Sequence, residues 1–178
     1  MIPVKIVVAG GFGVGKTTFV SSISEIVPLT TEAALTMVSD DVDHTRANTV
    51  KTTTTVAMDF GRVSLDDELV LYLFGTPGQD RFQFLWDELT RGAIGAVVLV
   101  DTRDVEACFA AIDYFEERRV PFLVAVNCFY GVSPHTADEV REALSVRAEV
   151  PVVQVDARDR DSTKQALLEL TKHALTLV

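Results

Sequence analysis

The sequence predicts an α/β fold built on a doubly wound, six-stranded sheet that is mostly parallel, with one antiparallel edge strand. Apolar runs that resemble buried strands alternate with segments of helical spacing along the 178 residues. An acidic turn at Asp66 and Asp67 joins two strands into a hairpin, which supplies the antiparallel strand. A crossover helix follows most strands, so the carboxyl ends of the parallel strands meet at one edge of the sheet, where such folds bind ligands.

The elements are predicted in the order β-α-β-β-α-β-α-β-α-β-α. Apolar or β-branched runs predict strands at residues 4–9, 50–65, 69–74, 93–100, 121–126 and 152–155. Helical spacing predicts helices at about residues 16–26, 81–91, 105–118, 136–144 and 162–177. Residues 27–50 are rich in Thr, Asp and Ser without a sustained apolar period, which predicts a long functional loop. No repeat or linker interrupts the pattern, so we expect a single domain over residues 1–178.

Composition and charge argue against several classes of protein. The formal net charge is −10, which is unfavourable for nucleic acid or an anionic membrane as the main partner. Cys108 and Cys128 lack metal-ligand or disulfide spacing and are expected to be core residues. No apolar run approaches ~18 residues, and neither a signal core nor a lipidation motif is visible. We therefore expect a cytoplasmic protein without a lipid anchor, which a protein partner can recruit to a membrane.

Residues 10–18 read GGFGVGKTT and match the pattern G-x-x-x-x-G-K-[ST]. Glycines let consecutive backbone N–H groups turn towards a phosphate, and the helix that follows adds its dipole. Lys16 can reach the β- and γ-phosphates of a nucleotide, and the Thr17 hydroxyl can ligate Mg²⁺. The residues expected to bind the phosphates are Gly10, Gly11, Phe12, Gly13, Val14, Gly15, Lys16, Thr17 and Thr18.

Three further stretches of the sequence resemble the motifs of a known protein family and occur in the order found in that family. They are TVAMDF at residues 55–60, GTPGQDRF at residues 75–82 and RGA at residues 91–93. With the glycine loop, they make the chain resemble a small Ras-like GTPase over nearly its whole length. Among prokaryotic proteins it is most similar to the MglA-like GTPases, and within them to the GTPase component of actinobacterial conservon operons.

The resemblance implies a fold, a substrate, a cofactor and partners. The fold would be a P-loop NTPase domain of the Ras-like, or G-domain, type. GTP and GDP would be substrate and product, with Mg²⁺ as cofactor. The implied partners are a roadblock/LC7 protein and sensor-kinase-like proteins of the same operon, which would bind through residues 28–55 and 75–90 as the nucleotide changes.

The resemblance also implies a role for each matching residue. Thr55 would contact the γ-phosphate and Mg²⁺ in the triphosphate state and release them after hydrolysis. The Gly78 N–H would contact the γ-phosphate, and Gln79 would orient the attacking water, with Lys16 as the second catalytic residue. The residues implied at the base are Asn127, Tyr130, Asp156, Ala157 and Arg158, with the Ala157 N–H facing the base carbonyl.

The first departure from the family pattern concerns magnesium. The strand before residues 75–82 should end in an Asp near Mg²⁺, but Phe74 and Gly75 stand there. Mg²⁺ keeps several waters and needs acidic oxygens around it. Asp59 is the candidate replacement, because it lies four residues after Thr55 and so on the same face of its strand. The alternative is a hydrogen-bonded Asp at a strand edge that touches no ligand.

A second departure concerns the choice of base. In the family an Asp three residues after Asn127 accepts both N–H donors of the guanine edge, and here that residue is Tyr130. A phenol oxygen can accept at most one hydrogen bond in that direction, so base discrimination should weaken. We expect guanine, with a relaxed or adenine-tolerant site as the alternative.

The third departure is Phe12, which stands inside the loop where the family has a small residue. Its ring would crowd the space near the γ-phosphate, or else fold onto the aromatic side chains after Gly78. No Arg precedes Thr55 within a few residues, so the chain lacks an internal arginine finger. We therefore expect slow hydrolysis, on the order of 10⁻⁴ s⁻¹ or below.

The helix at residues 81–91 contains a candidate contact site for a protein partner. Its inward positions, at helical spacing, are Phe82, Leu85, Trp86 and Leu89. Phe84 is left on the opposite side, where an exposed ring beside a nucleotide-sensing loop would anchor a protein partner. A lone exposed Phe without a role is the alternative.

Three functions fit these residues. The first is a GTPase switch, and the second is a nucleotide-binding interaction module that hydrolyses little, for which Phe12, Gly75 and Tyr130 speak. The third is a P-loop small-molecule kinase, which would need a lid with several Arg residues that the sequence does not show.

Overall fold

The computed structural model describes residues 2–38, 51–65, 67–78, 80–131 and 133–177, with side chains described outside 30–38, 51–57, 80–82 and 130. The strands in this part are β1 Ile2–Gly10, β2 Leu29–Val38, β3 Lys51–Ser64, β4 Leu69–Gly75, β5 Ala93–Val100, β6 Phe122–Asn127 and β7 Val152–Val155. The α-helices are α1 Lys16–Ile23, α2 Trp86–Thr90, α3 Phe109–Glu117, α4 Ala137–Leu144 and α5 Arg160–Thr176. Short 3₁₀ helices span Asp80–Leu85, Val105–Cys108 and Phe129–Gly131.

The strands form one sheet in the order β2-β3-β4-β1-β5-β6-β7. Strands β4, β1, β5, β6 and β7 are parallel to one another, and β3 pairs antiparallel with β4. The predicted α/β class, with a doubly wound and mostly parallel sheet and one antiparallel strand, is confirmed. All six predicted strands are present.

A seventh strand corrects the predicted edge of the sheet. Strand β2 pairs antiparallel with β3, from Leu29 opposite Phe60 to Val38 opposite Lys51. The long loop predicted for residues 27–50 is therefore wrong over Leu29–Val38, and β3 lies inside the sheet instead of at its edge. Residues 39–50 of that predicted loop lie outside the described residues. Leu29, Ala33, Leu35 and Met37 stand at alternate positions, which is the signal of a strand, but the polar composition of residues 27–50 as a whole obscured it.

Two hydrophobic layers cover the two faces of the sheet. On one face, α1 and α5 bury Phe19, Ile23, Leu167 and Leu170 against alternate residues of β1 and its neighbours. On the other face, α2, α3 and α4 bury a second cluster that includes Trp86, Phe115 and Val140. Cys108 and Cys128 are free and buried, as predicted. None of the described helices is long and apolar enough to span a lipid bilayer.

Several helix boundaries differ from the prediction, and local hydrogen bonds give the reasons. Helix α1 ends at Ile23 because Ser24 turns into extended backbone, where its hydroxyl donates to the Ile26 carbonyl oxygen at 2.8 Å. The segment predicted as one helix at 81–91 is a 3₁₀ helix followed by α2. Helix α4 begins as predicted, since Thr136 and Glu139 form a capping box.

Candidate functional site

The loop between β1 and α1 wraps around the side chain of Lys16. Gly10 and Gly15 have φ values of 142° and 109°, a backbone region that glycine adopts easily. The buried Lys16 ammonium donates to the carbonyl oxygens of Gly10 at 2.8 Å and Gly11 at 2.6 Å. Burial lowers the pKa of Lys16 from its ordinary 10.5 to about 8, while the Asp59 carboxylate acts in the opposite direction.

A cavity of about 430 Å³ opens beside this lysine, within the size range of small-molecule sites. Its walls come from the glycine loop, from β3 and from the residues that follow β4. The lining residues are Phe12, Gly13, Gly15, Lys16, Thr17, Thr18, Asp59, Thr76 and Gly78. Of these, Thr76 alone was missed by the sequence reasoning, although it lies inside the GTPGQDRF stretch. The structure thus brings the predicted phosphate loop, Asp59 and Gly78 to one place.

Asp59 fills the space above Gly75. The Thr17 hydroxyl donates to Asp59 Oδ2 at 2.6 Å. Strands β3 and β4 pair with Phe60 opposite Phe74, so Asp59 and Gly75 are close on adjacent strands. A Cβ atom added at Gly75 would lie 3.2 Å from Asp59 Cβ and 3.3 Å from Asp59 Oδ2. The carboxylate therefore occupies the volume that a side chain at position 75 would take.

The oxygen atoms around Thr17 are suitable ligands for a hard divalent cation. The Thr17 hydroxyl and the Asp59 carboxylate offer oxygen ligands, which Mg²⁺ prefers. Thr76 is 3% exposed, and among the described residues its hydroxyl has no hydrogen-bond partner. The described part of the chain holds no cluster of three or more His, Cys, Asp or Glu that could form a metal cage. A site with few carboxylates is sufficient for Mg²⁺, because this ion keeps several of its water ligands.

Four other predicted residues stand as follows. Thr55 lies on β3 with its backbone opposite Ala34, and its side chain is outside the described residues. Gln79 is outside them altogether, and Tyr130 lies in a 3₁₀ helix without a described side chain. Phe12 is 82% exposed, so its ring is not buried against the aromatic side chains after Gly78.

Asn127 links the glycine loop to the ends of β6 and β7. Its amide donates to the Val14 carbonyl oxygen at 3.0 Å, and its Oδ1 accepts the Ala157 N–H at 3.2 Å. A Cβ atom added at Gly15 would lie 2.8 Å from the Asn127 amide nitrogen. Two of the residues predicted for the base, Asn127 and Ala157, therefore lie next to the predicted phosphate loop.

Two Asp-x-Arg pairs with nearly the same geometry flank this region, and the sequence reasoning did not detect them. After β7, Arg158 Nε and Nη2 donate to Asp156 at 3.0 and 2.9 Å. After β5, Arg103 Nε and Nη2 donate to Asp101 at 2.9 and 2.8 Å. The Arg158 hydrogen bonds hold the pKa of Asp156 below its ordinary value. The signal available in the sequence was the Asp-x-Arg spacing, which occurs after both β5 and β7.

The fold and this site define the class: a P-loop protein with the architecture of a G domain. Among solved structures, the FeoB G-domain from Methanococcus jannaschii superposes with a TM-score of 0.63 at 14% identity, covering 98% of this chain and 99% of that one. The cytosolic domain of the T. maritima FeoB iron transporter, in its apo form, superposes with a TM-score of 0.63 at 15% identity, covering 97% of this chain and 64% of that one.

Sequence comparisons identify similar proteins and one family. The chain is 29% identical over 129 residues to uncharacterized protein MJ1339 of Methanocaldococcus jannaschii, covering 70% of this chain and 69% of that protein. It is 26% identical over 127 residues to Ras-related protein SEC4 of Candida albicans, covering 66% of this chain and 60% of SEC4. Residues 8–177 match the family described as conserved hypothetical ATP binding protein, and the chain belongs to this family.

Proposed function

We propose that the protein is a guanine-nucleotide switch, which binds GTP or GDP and hydrolyses GTP slowly to change its binding partners. The observation that carries the proposal is the cavity in which Lys16 and Thr17 meet Asp59 and Gly78. Phosphate oxygens would replace the loop carbonyl oxygens that now accept from the Lys16 ammonium. The positive charge of Lys16 would then stabilise the negative charge of the phosphates.

Thr17 and Asp59 would hold Mg²⁺ together with Thr55 in the triphosphate state. When bound, Mg²⁺ supplies positive charge that offsets the charge of the β- and γ-phosphates. The short hydrogen bond between Thr17 and Asp59 supports this role, since it orients the hydroxyl oxygen that would face the metal. Asp59 acts from β3 in place of a carboxylate that is missing at Gly75.

Hydrolysis would rely on positioning. The Gly78 N–H would hold the γ-phosphate, and Gln79 would orient the attacking water. The exposed ring of Phe12 lies at the mouth of the same cavity, where a partner's arginine would have to enter. Intrinsic turnover of GTP is expected on the order of 10⁻⁴ s⁻¹ or below. A measured rate a hundredfold faster would contradict the proposed site.

Guanine is the proposed base, bound beside Asn127 and Ala157, where its carbonyl oxygen would replace Asn127 Oδ1 as the acceptor of the Ala157 N–H. Asp156 cannot accept both N–H donors of the guanine edge, because its two carboxylate oxygens already accept hydrogen bonds from Arg158. Discrimination against ATP should therefore be weak, because guanine selection relies on two paired acceptors. We expect Tyr130→Asp to restore that pair and to raise the ratio of GTP to ATP affinity by at least about tenfold. An unchanged ratio would place the base elsewhere.

The second candidate function is a nucleotide-binding interaction module with little hydrolysis or with relaxed base choice. The exposed Phe12 ring and the occupied Asp156 carboxylate favour it, as does the family description as an ATP-binding protein. One experiment separates the two functions: the nucleotide retained on purification is identified, and GTP and ATP affinity and hydrolysis are measured with Mg²⁺. GTP turnover that a roadblock/LC7 protein accelerates supports the switch, whereas retained nucleotide without turnover, even with that protein added, supports the module.

Kinship and partners are part of the same proposal. The GTPGQDRF stretch and the order of the motifs support the MglA-like branch and the conservon GTPase component within it. A roadblock/LC7 protein and sensor-kinase-like proteins are then the proposed partners, which would recruit this cytoplasmic protein to a membrane. Binding of a purified roadblock/LC7 protein to the GTP state but not to the GDP state would support this assignment. Equal binding to both states would argue against it.

A further inference from the structure

Helix α2 is anchored to the body of the fold at both ends. The indole of Trp86 is buried, and its centroid lies 5.2 Å from the ring of Tyr114 in an edge-on contact. At the other end, Lys5 of β1 donates to the carbonyl oxygens of Glu88 at 3.3 Å and Arg91 at 3.1 Å. These contacts fix the carboxyl end of the helix to the sheet.

A polar cluster ties the middle of α2 to α3. The Tyr114 hydroxyl donates to Asp87 Oδ1 at 2.7 Å and lies 2.8 Å from Thr90 Oγ1. Arg118 Nε donates to the same Asp87 oxygen at 2.8 Å, and its guanidinium lies 3.9 Å from the centre of the Tyr114 ring. Helices α2 and α3 therefore form one rigid wall.

The segment before α2 is joined to the phosphate cavity instead. A Cβ atom added at Gly78 would lie 2.9 Å from Lys16 Nζ and 3.0 Å from Phe12 Cα, so this backbone touches the phosphate loop. The 3₁₀ helix Asp80–Leu85 begins two residues after Gly78, and it carries Phe84, which is 52% exposed. A nucleotide that displaces Gly78 would move Phe84 relative to the wall formed by α2 and α3.

A groove of about 550 Å³ lies between this segment and the wall. We call it the α2–α3 groove; Gln83 and Phe84 line one side, and Ala110, Asp113 and Glu117 of α3 line the other. Its position makes the width of the groove depend on where Phe84 stands. An apolar ring at the rim of a preformed groove is a typical anchor for a protein partner.

The charge of the groove selects the chemistry of that partner. Among the residues whose side chains the structure describes, Asp87, Asp113 and Glu117 line the groove with carboxylates, and Arg118, which pairs with Asp87 at 2.8 Å and lies 3.9 Å from Glu117, is the lining cation. Three negative charges and one positive charge leave a net −2, on a chain of net charge −10. Complementary charge at an interface steers a partner of opposite sign and fixes its orientation.

We propose that the α2–α3 groove binds a basic segment of a protein partner, with an apolar side chain against Phe84 and Lys or Arg residues beside Asp113 and Glu117. Binding depends on the nucleotide, because Phe84 belongs to the segment that follows Gly78. In that respect the inference rests on the proposed switch function. An acidic or uncharged segment would meet like charges or leave the carboxylates unpaired.

The test is to pan a random peptide library on the full chain, loaded with GDP or with a non-hydrolysable GTP analogue. Enriched peptides are resynthesised, and their affinity is measured by fluorescence anisotropy against variants of the groove. Phe84→Ala and the charge reversal Asp113→Lys with Glu117→Lys should each weaken binding at least tenfold, about the effect of losing an interface anchor. The matched control reverses Asp138 and Glu142 on α4, an exposed Asp and Glu at the same spacing, and should leave binding unchanged.

The proposal predicts that enriched peptides carry Lys or Arg next to an apolar residue and bind one nucleotide state more tightly. Acidic peptides, an equal loss with the α4 control, or no enrichment from either state would overturn it. Nucleotide affinity and thermal unfolding are measured on the same variants, so a folding defect is recognised. If nucleotide binds normally but peptide affinity does not depend on the groove residues, the proposed docking site is wrong and the proposed nucleotide switch stands.

Discussion

Replacement of Asp59 by Asn probes the most unusual feature of the site. Asn keeps the size of the side chain and an oxygen that can accept from the Thr17 hydroxyl, but it removes the negative charge. We expect Asp59→Asn to weaken Mg²⁺-dependent nucleotide binding, since a neutral amide orients and polarises the metal-facing hydroxyl less strongly than a carboxylate. Nucleotide binding without Mg²⁺ should not weaken in the same way, because the glycine loop and the Lys16 ammonium keep their hydrogen-bonding groups and a carboxylate that repels the phosphates is lost.

The size of the effect follows from the geometry. The Thr17 to Asp59 distance of 2.6 Å is that of a strong charge-assisted hydrogen bond. Loss of such an outer partner of a metal ligand lowers metal affinity by about 10- to 100-fold. This corresponds to about 1.4–2.7 kcal/mol at 25 °C.

The assay is dissociation of a fluorescent GDP analogue, followed over a series of free Mg²⁺ concentrations. Glu25→Gln is the matched control, because Glu25 also accepts from a hydroxyl, that of Ser64 at 3.0 Å, but does not line the cavity. We expect Asp59→Asn to shift the half-saturating Mg²⁺ concentration at least about tenfold, while Glu25→Gln leaves it in place. Equal behaviour of the two variants would refute the role of Asp59.

Moving the carboxylate provides a sharper form of the same experiment. Gly75→Asp alone should disturb the site, because its Cβ atom would lie 3.2 Å from Asp59 Cβ. Gly75→Asp combined with Asp59→Gly frees that space and returns a carboxylate to the end of β4. We expect the double variant to recover part of the Mg²⁺ dependence that Asp59→Gly loses. No recovery would mean that the carboxylate must act from β3.

Three further predictions concern stability and reactivity. Tyr114→Phe removes the hydroxyl between Asp87 and Thr90 and should lower the free energy of unfolding by about 1–2 kcal/mol, seen as a melting temperature lower by about 2–8 °C; an effect no larger than that of the control Tyr72→Phe would contradict it. Thr136→Ala removes the capping box of α4 and should cost about 0.5–2 kcal/mol in urea unfolding, whereas no change would mean that the cap is not formed in solution. Burial raises the pKa of Cys108 from 9.0 to about 12, so a thiolate-specific reagent should label it roughly 1000-fold more slowly in the native state than in urea at pH 8.

The parts of the fold that the sequence predicts are those with a strong local signal. Continuous apolar runs identify β5 and β6 to within a residue, because buried parallel strands need no alternation. The glycine loop is equally clear, since its spacing serves a backbone geometry that few other sequences adopt. Most residues lining the cavity could also be named in advance. Asp59 followed from the resemblance, which implies that Thr55 lies near Mg²⁺, and from the four-residue spacing that puts Asp59 on the same face of the strand as Thr55.

Features that depend on a distant partner could not be predicted. Strand β2 has an alternating apolar pattern interrupted by Thr31 and Ala34, which was too weak without its ladder with β3 to separate it from the polar residues that follow. The Thr76 hydroxyl, which has no partner among the described residues, and the α2–α3 groove are consequences of packing between separate elements. The paired Asp101 and Arg103 are local in sequence, but their geometry appears only once the end of β5 is fixed.

Hydrogen–deuterium exchange in the GDP state and in the state with a non-hydrolysable GTP analogue tests the proposed switch most directly. The account predicts that the backbone at residues 76–85 exchanges differently in the two states. Helix α2, held by Lys5, Tyr114 and Arg118, should exchange alike in both. Identical exchange at residues 76–85 in the two states, with both nucleotides bound, would contradict a nucleotide switch.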